Sequence, residues 1–212
     1  MDLFALPLAL TLLAPSTPAE HIAAAEACAR IAPRTEWYAL GALMDAPELS
    51  LGDPVRVRVQ FRSEAEAWDP LLTRFDPAQY RAFEVWADEQ WLWIEEEYTA
   101  PAARLFVRRG SSAEAVLWNA RPHDRFALRL VVREFQGGSP WIEVTEAAWT
   151  AEQTPEGTVL HAIRALDLIE REAWALAVSE LERALEPRLP GHVRRELEQI
   201  LESVGEVADE QR

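Results

Sequence analysis

The sequence predicts an α+β protein in which a five-stranded β-barrel precedes a separate group of helices. Residues 55–61 alternate strictly between apolar and polar side chains, which is typical of a half-buried strand. From residue 55 to residue 149 the predicted elements run strand, strand, strand, short capped helix, strand, strand. From Thr154 onward the apolar residues recur at helical spacing instead. The change of period near residue 150 predicts a boundary between the barrel and the helices.

The composition is that of a folded chain with a strongly acidic balance. Of the 212 residues 49% are hydrophobic and 27% are charged, and the formal net charge is −15. All 21 basic residues are arginine. Because phosphate neutralisation supplies most of the affinity of nucleic-acid binders, this charge disfavours non-specific binding of DNA or RNA. The single cysteine, Cys28, excludes an internal disulfide.

The first nineteen residues have the features of a secretory signal peptide. Residues 3–14 form an apolar run that is too short for a transmembrane helix, and small residues follow up to Ala19. We therefore expect residues 1–19 to be a signal peptide and the protein to be exported, to the periplasm or outside the cell. An ordinary N-terminal helix or a misassigned start codon would also explain these residues, since Asp2 stands where a positive charge is expected.

The segment 20–50 is expected to be helical, with helices at Glu20–Ile31 and Trp37–Met44. The segment 51–150 contains the barrel, with strands predicted at Val55–Phe61, Tyr80–Trp86, Arg104–Arg108, Arg125–Phe135 and Trp141–Ala147. Residues Gln90–Tyr98 are expected to be extended or to form a hairpin return. Ser111 and Glu114 have the spacing of a capping box and predict a short helix at Ala113–Ala120. Gly137 and Gly138 predict the turn of the last hairpin, because glycine readily adopts a positive φ.

The segment 154–205 is expected to form three helices. Pro155 stands in the first turn of the first helix, where proline is tolerated. Three apolar stripes at helical spacing follow, and their members include Ala162 and Leu166, Trp174 and Leu181, and Val193 and Leu197. Residues 206–212 are an acidic tail, and fraying is expected from Gly205 onward.

Residues 55–149, a little under half of the chain, resemble OB-fold domains. Residues 121–147 carry the resemblance: a turn after the short helix leads into a long strand, a glycine-containing hairpin and a final strand. The resemblance implies a five-stranded OB-like barrel with a capping helix, which is a binding platform rather than an active site. The chain departs from the pattern in its long connection after the first strand, in the lack of a glycine in that strand, and in the acidic triplet Glu95–Glu97, which opposes nucleic-acid binding.

Residues 159–189 resemble one tetratricopeptide repeat. The matching small and large positions are Ala165, Trp174, Ala177, Leu181, Ala184 and Leu185, while His161 stands where the family often has tryptophan. The resemblance implies a helical hairpin that contacts a protein or peptide, with residues 191–204 as a capping helix. Since stable arrays need about three repeats, we expect the barrel to supply the missing packing surface.

Eight side chains of the barrel form the candidate binding surface. They are Arg56, Arg58, Arg62, Trp91, Trp93, Arg108, Arg129 and Arg133. The arginines lie on polar strand faces and could line one groove, although pairing with glutamates would make the same face an ordinary solvated one. Trp91 and Trp93 are expected to be partly exposed, as a stacking platform or as packing at the barrel end. Trp86 and Trp118 are expected in the core.

The sequence contains no recognisable motif for a metal, a cofactor or a catalytic nucleophile, so no such residues are predicted. The favoured function is a non-enzymatic binding or scaffold protein, whose OB-like barrel and tetratricopeptide-like helices engage a protein or peptide partner. The acidic charge would suit a partner that is basic. One alternative is binding of single-stranded nucleic acid by the arginines with Trp91 and Trp93. Another is an enzyme of a class that the sequence does not identify.

Overall fold

The computed structural model describes residues 37–65, 68–69, 73, 75–136 and 139–210. The predicted signal peptide, the helix at Glu20–Ile31, Cys28 and the turn at Gly137–Gly138 lie outside these residues. Within them the chain forms a closed five-stranded β-barrel and six α-helices, which confirms the predicted α+β class.

The barrel is built from five long strands, preceded by a two-residue strand at its edge. The strands are β1 (Trp37–Tyr38), β2 (Pro54–Glu64), β3 (Tyr80–Ala87), β4 (Ala103–Arg108), β5 (Arg125–Gln136) and β6 (Ser139–Trp149). The order β2-β3-β4-β6-β5 closes through a further pairing of β2 with β5, and β4 pairs with β6 in parallel. This order is consistent with an OB-like barrel. β1 pairs in parallel with β2, placing Trp37 beside Arg56.

The barrel interior is filled by the apolar half of each alternating strand. Val55, Val57 and Val59 of β2 are at most 4% exposed, as the period-two pattern predicts. They pack with inward residues of β5 and β6 such as Leu128 and Val144 in one continuous cluster. The alternate residues of the same strands therefore point outward, and they include Arg56 and Arg58 of β2.

Three short helical segments connect the first four strands. Helix α1 (Leu40–Asp45) and a 3-10 helix (Pro47–Ser50) lie between β1 and β2, and helix α2 (Glu95–Thr99) lies between β3 and β4. The predicted single helix at Trp37–Met44 is thus wrong at its start, because Trp37 and Tyr38 pair with β2. Helix α2 covers Glu95–Thr99, so the prediction of an extended segment or hairpin return at Gln90–Tyr98 is also wrong. The three glutamates of α2 lie in its first turn, where the helix dipole favours negative charge.

Helix α3 (Ser112–Leu117) lies between β4 and β5 and has the predicted cap. The Ser111 hydroxyl accepts a hydrogen bond from the backbone N–H of Glu114 at 3.1 Å. The Glu114 carboxylate instead accepts from the N–H of Gly110, one residue before the position that a capping box requires. The helix ends three residues before the predicted Ala120, because Trp118 already acts as its C-cap.

Three longer helices follow the barrel: α4 (Glu156–Glu170), α5 (Trp174–Ala184) and α6 (Gly191–Glu210). The frayed tail predicted from Gly205 is wrong up to Glu210, because Val204 and Ala208 continue the buried face of α6. The likeness of α4 and α5 to a tetratricopeptide repeat stays a prediction. Within the part of the chain that the structure describes, no helix combines the length and the apolar composition needed to span a membrane.

The helices pack on the barrel through the segment between β3 and α2. Trp93 is 6% exposed and joins a cluster with Leu181 of α5 and Leu197 of α6. The ring Nε2 of His192, near the start of α6, hydrogen-bonds the backbone carbonyl of Asp88 at 2.7 Å. These contacts hold the barrel and the helices against each other.

Candidate binding groove

A groove of about 190 Å³ lies on the outer face of the barrel, across β2, β5 and β6. The strand register builds it: Arg56 lies opposite Arg129 and Arg58 opposite Ala127 on β5. Across to β6, Arg129 lies opposite Glu146 and Ala127 opposite Ala148. The two alanines form a low floor between taller side chains. The groove is lined by Trp37, Arg56, Arg58, Ala127, Leu128, Arg129, Glu146, Ala147, Ala148, Trp149 and Thr150.

Trp37 supports both arginines of β2. The guanidinium carbons of Arg56 and Arg58 lie 4.6 and 4.2 Å from the centre of its ring system, within the range of a cation–π contact. The ring is held by the parallel pairing of β1 with β2 and is 40% exposed. The two cations are thus held over one aromatic side chain at the groove wall.

The charges along the groove are only partly neutralised. Arg129 forms an ion pair with Glu146 at 3.0 Å, and both side chains are about half exposed. Among the residues that the structure describes, no carboxylate forms an ion pair with Arg56 or Arg58. Within the described part of the chain, these two cations therefore contact an aromatic ring and form no ion pair.

The environment of Arg58 is also electrostatically unfavourable for a cation. Burial and the nearby charge of Arg125 lower the pKa of Arg58, although Asp88 and Glu152 oppose this effect. An arginine nevertheless stays charged at neutral pH. An anion bound beside Arg58 would reduce the repulsion between the guanidinium groups of Arg58 and Arg125.

Asp88 and Glu152 do not pair with Arg58 because both are bound to Arg125. The Arg125 side chain is 3% exposed and donates to both carboxylate oxygens of Asp88, at 2.6 Å each, and to Glu152 at 2.9 Å. Burial opposes its charge, but the hydrogen bonds and the charges of these two acids raise the pKa of Arg125. This ion network, centred on the buried Arg125, joins the turn after β3, the start of β5 and the segment before α4.

The other three candidate arginines lie outside this groove. Arg62 pairs with Glu84 at 2.8 Å, Arg133 pairs with Glu143 at 2.6 Å, and Arg108 donates to the hydroxyl of Tyr80 at 2.8 Å. The expectation that all six arginines could line one groove is therefore wrong. Arg56, Arg58 and Arg129 come together because β2 and β5 are neighbours, whereas β4, which carries Arg108, is on another side of the barrel.

The candidate tryptophans also lie elsewhere. Trp91 and Trp93 are in contact with each other, with ring centres 5.2 Å apart, and pack against the helices. Trp91 is partly exposed as predicted, but Trp93 is buried, since α5 and α6 cover it. Trp86 is in the core as predicted, at 2% exposure. Trp118 is 54% exposed and not in the core, and its ring lies beneath the guanidinium group of Arg81 at 3.6 Å.

A second group of aromatic residues on the outer face of β3 and β4 is covered by the chain itself. Phe75, from the connection between β2 and β3, stacks on Phe106 with ring centres 4.5 Å apart and planes inclined by 5°. Its ring also contacts Tyr80 and Trp141, and Phe75 is fully buried. These rings pack against one another and are not presented to a ligand.

Sequence reasoning missed the role of Trp37, the alanine floor and the ion network of Arg125. Ala127 and Ala148 carry no chemical signal, and the sequence predicts a helix at Trp37. Within the described residues no group of three or more His, Cys, Asp or Glu side chains is arranged to hold a metal ion.

No known protein family matches this chain, and no curated protein matches it significantly.

Proposed function

We propose that the protein is a non-enzymatic binding protein that engages a protein or peptide partner through the groove between β2, β5 and β6. The observation that carries the proposal is the pair Arg56 and Arg58, two cations on an exposed tryptophan without a carboxylate partner among the described residues. Arg62 of β2 and Arg133 of β5, which lie outside the groove, are by contrast each paired with a glutamate. In a chain of net charge −15, two arginines that line a concave surface and form no ion pair with the described residues support a binding function.

The side chains of the groove support binding rather than catalysis. Among the described residues that line it, the one carboxylate is Glu146, which is paired with Arg129. The one hydroxyl in the same described set is Thr150, which donates to the backbone carbonyls of Arg125 and Glu152. A nucleophile beside a base, which covalent catalysis requires, is not found among the lining residues. The volume of about 190 Å³ is also below the roughly 300–1,000 Å³ of small-molecule and cofactor sites.

The proposed architecture is an OB-like barrel supported by tetratricopeptide-like helices. The helices pack on the barrel through Trp93 and hold the β3 turn through His192. Through Asp88, this turn also fixes Arg125, the neighbour of Arg58 along the outer face. The helices thereby stiffen the end of the groove, and a preorganised site binds an extended segment at a lower entropic cost.

A selection from a displayed library of random peptides tests the proposal. The wild-type protein is compared with the double variant R56A/R58A and with R104A, a control in which an exposed arginine outside the groove is removed. We expect peptides to be enriched on the wild type and on R104A, and to be lost on R56A/R58A. Failure to enrich any peptide, or equal enrichment on all three proteins, would contradict the proposed function.

A further inference from the structure

We infer that the groove is a carboxylate subsite, which takes one aspartate or glutamate side chain of an extended peptide between Arg56 and Arg58. This inference rests on the proposed function and adds the chemistry of the residue that the groove selects. It is carried by the geometry of the two guanidinium groups, by the size of the groove and by the charge around it.

Arg56 and Arg58 point to the same face of the barrel and lie against the same aromatic ring. They are alternate residues of β2, so both point to the outer face. Both guanidinium groups contact the same Trp37 ring, so the indole restricts where their N–H groups can point. A planar guanidinium group matches a carboxylate through two parallel hydrogen bonds, and such charge-assisted pairs are the stronger ones. One carboxylate placed between them would satisfy donors of both side chains.

The size of the groove suits a side chain rather than a larger anion. A volume of about 190 Å³ is too small for a typical cofactor or nucleotide. The methyl groups of Ala127 and Ala148 leave the floor low, so that the backbone of an extended ligand can approach the barrel surface. A short acidic side chain can then reach the arginines from the mouth of the groove.

The surrounding charge selects against a polyanion. Glu146 forms part of the groove wall, and the whole chain carries a net charge of −15. A nucleic-acid strand would bring a new phosphate charge with each nucleotide, and every phosphate beyond the first would be repelled by this field. A peptide brings one carboxylate into the groove, and its remaining residues can be neutral or basic. This is compatible with an overall basic partner.

Two-dimensional NMR of the arginine Nε–Hε groups provides the test, with the signals of Arg56 and Arg58 assigned through R56K and R58K. The probes are acetyl-Ala-Glu-Ala-amide, its neutral match acetyl-Ala-Gln-Ala-amide, inorganic phosphate and oligodeoxythymidine. We expect the glutamate peptide to shift both signals saturably and the Arg104 signal not at all. Since a hydrogen bond to a charged group contributes about 1.5–3 kcal/mol, the glutamine peptide should bind roughly tenfold to a hundredfold more weakly.

The outcomes separate the inference from the proposed function. Equal shifts with the glutamine peptide, no shift with the glutamate peptide, or tighter binding of phosphate or oligodeoxythymidine would overturn the carboxylate subsite. If library peptides without acidic residues still require Arg56 and Arg58, the proposed function stands and the inference fails. The variant R56K/R58K keeps both charges and both strand positions. It replaces R56A/R58A in the binding measurements if the alanine variant does not fold. We expect it to bind the glutamate peptide more weakly, because lysine cannot make the two parallel bonds.

Discussion

Replacing Arg125 with methionine measures how much the buried ion network stabilises the junction between the barrel and the helices. The Arg125 side chain is 3% exposed, and Asp88, its bidentate partner at 2.6 Å, is 15% exposed. R125M keeps the apolar stem of the side chain, removes the guanidinium group and leaves the largely buried Asp88 carboxylate without its cation. Breaking such a pair costs about 3–5 kcal/mol of unfolding free energy. For a protein of this size, that loss corresponds to a decrease in Tm of roughly 6–20 °C.

The matched control is R129M, on the same outward face of β5. Arg129 pairs with Glu146, but the two side chains are 45% and 54% exposed, so the loss should be about 1 kcal/mol or less. Urea denaturation at pH 7, followed by circular dichroism, gives both values on one scale. The double variant R125M/D88L, which removes both charges, should recover part of the loss. The reasoning is refuted if R125M and R129M differ by less than about 1 kcal/mol.

Three further predictions concern packing, titration and capping. W93A should lose about 3–5 kcal/mol of unfolding free energy, because the substitution opens a cavity under the helices. W118A, at an exposed position, should lose about 1 kcal/mol, and urea denaturation of both variants gives the comparison. Burial lowers the pKa of His123, so its neutral form favours folding above the unfolded value near 6.5, and stability decreases as the pH falls below it. H123N, which tolerates the positive φ of 74°, should therefore lose less unfolding free energy than the wild type between pH 7 and pH 5. S111A should lose about 1 kcal/mol of unfolding free energy in urea denaturation, because the helix loses its N-cap hydrogen bond. S112A, which keeps that bond, should lose much less.

Each of these predictions has a specific contradiction. Equal losses for W93A and W118A would mean that Trp93 does not hold the helices on the barrel. Parallel pH profiles of H123N and the wild type would mean that His123 titrates normally in the folded state. A loss in S112A as large as that in S111A would show that the position, and not the hydroxyl, stabilises α3.

The strands were predictable because their side chains alternate with period two over long stretches. The pattern at Val55–Phe61 requires one buried face, and the structure places that face inside the barrel. Residues Gln90–Tyr98 were not predictable in this way. Trp91 and Trp93 alternate with less bulky residues as strand residues would, but α5 and α6 bury Trp93, and Glu95–Glu97 start a helix. Periodicity does not report which distant element supplies the packing surface.

The groove could be predicted only in part, for a related reason. Outward arginines on β2 and β5 follow from alternation, but which of them meet depends on barrel closure and on register. Trp118 shows the same limit on a smaller scale. Leu117 is the last buried residue of α3. Successive residues of a helix differ in direction by about 100° around its axis, so the next residue, Trp118, points to solvent. A shift of one position therefore separates a core residue from a surface one.

The pairing of β2 with β5 that closes the barrel also has a consequence for how the chain folds. β5 and β6 have only two residues between them in the chain and can pair early at a small entropic cost, whereas β2 and β5 are separated in the chain by β3, α2, β4 and α3. Loop closure on that scale must precede any gain from the contacts, so we expect the seam between β2 and β5 to form late and to limit the folding rate. Until it forms, the apolar face of β2 and the free edge of β5 stay exposed, and this is the interval in which the chain is most prone to aggregation.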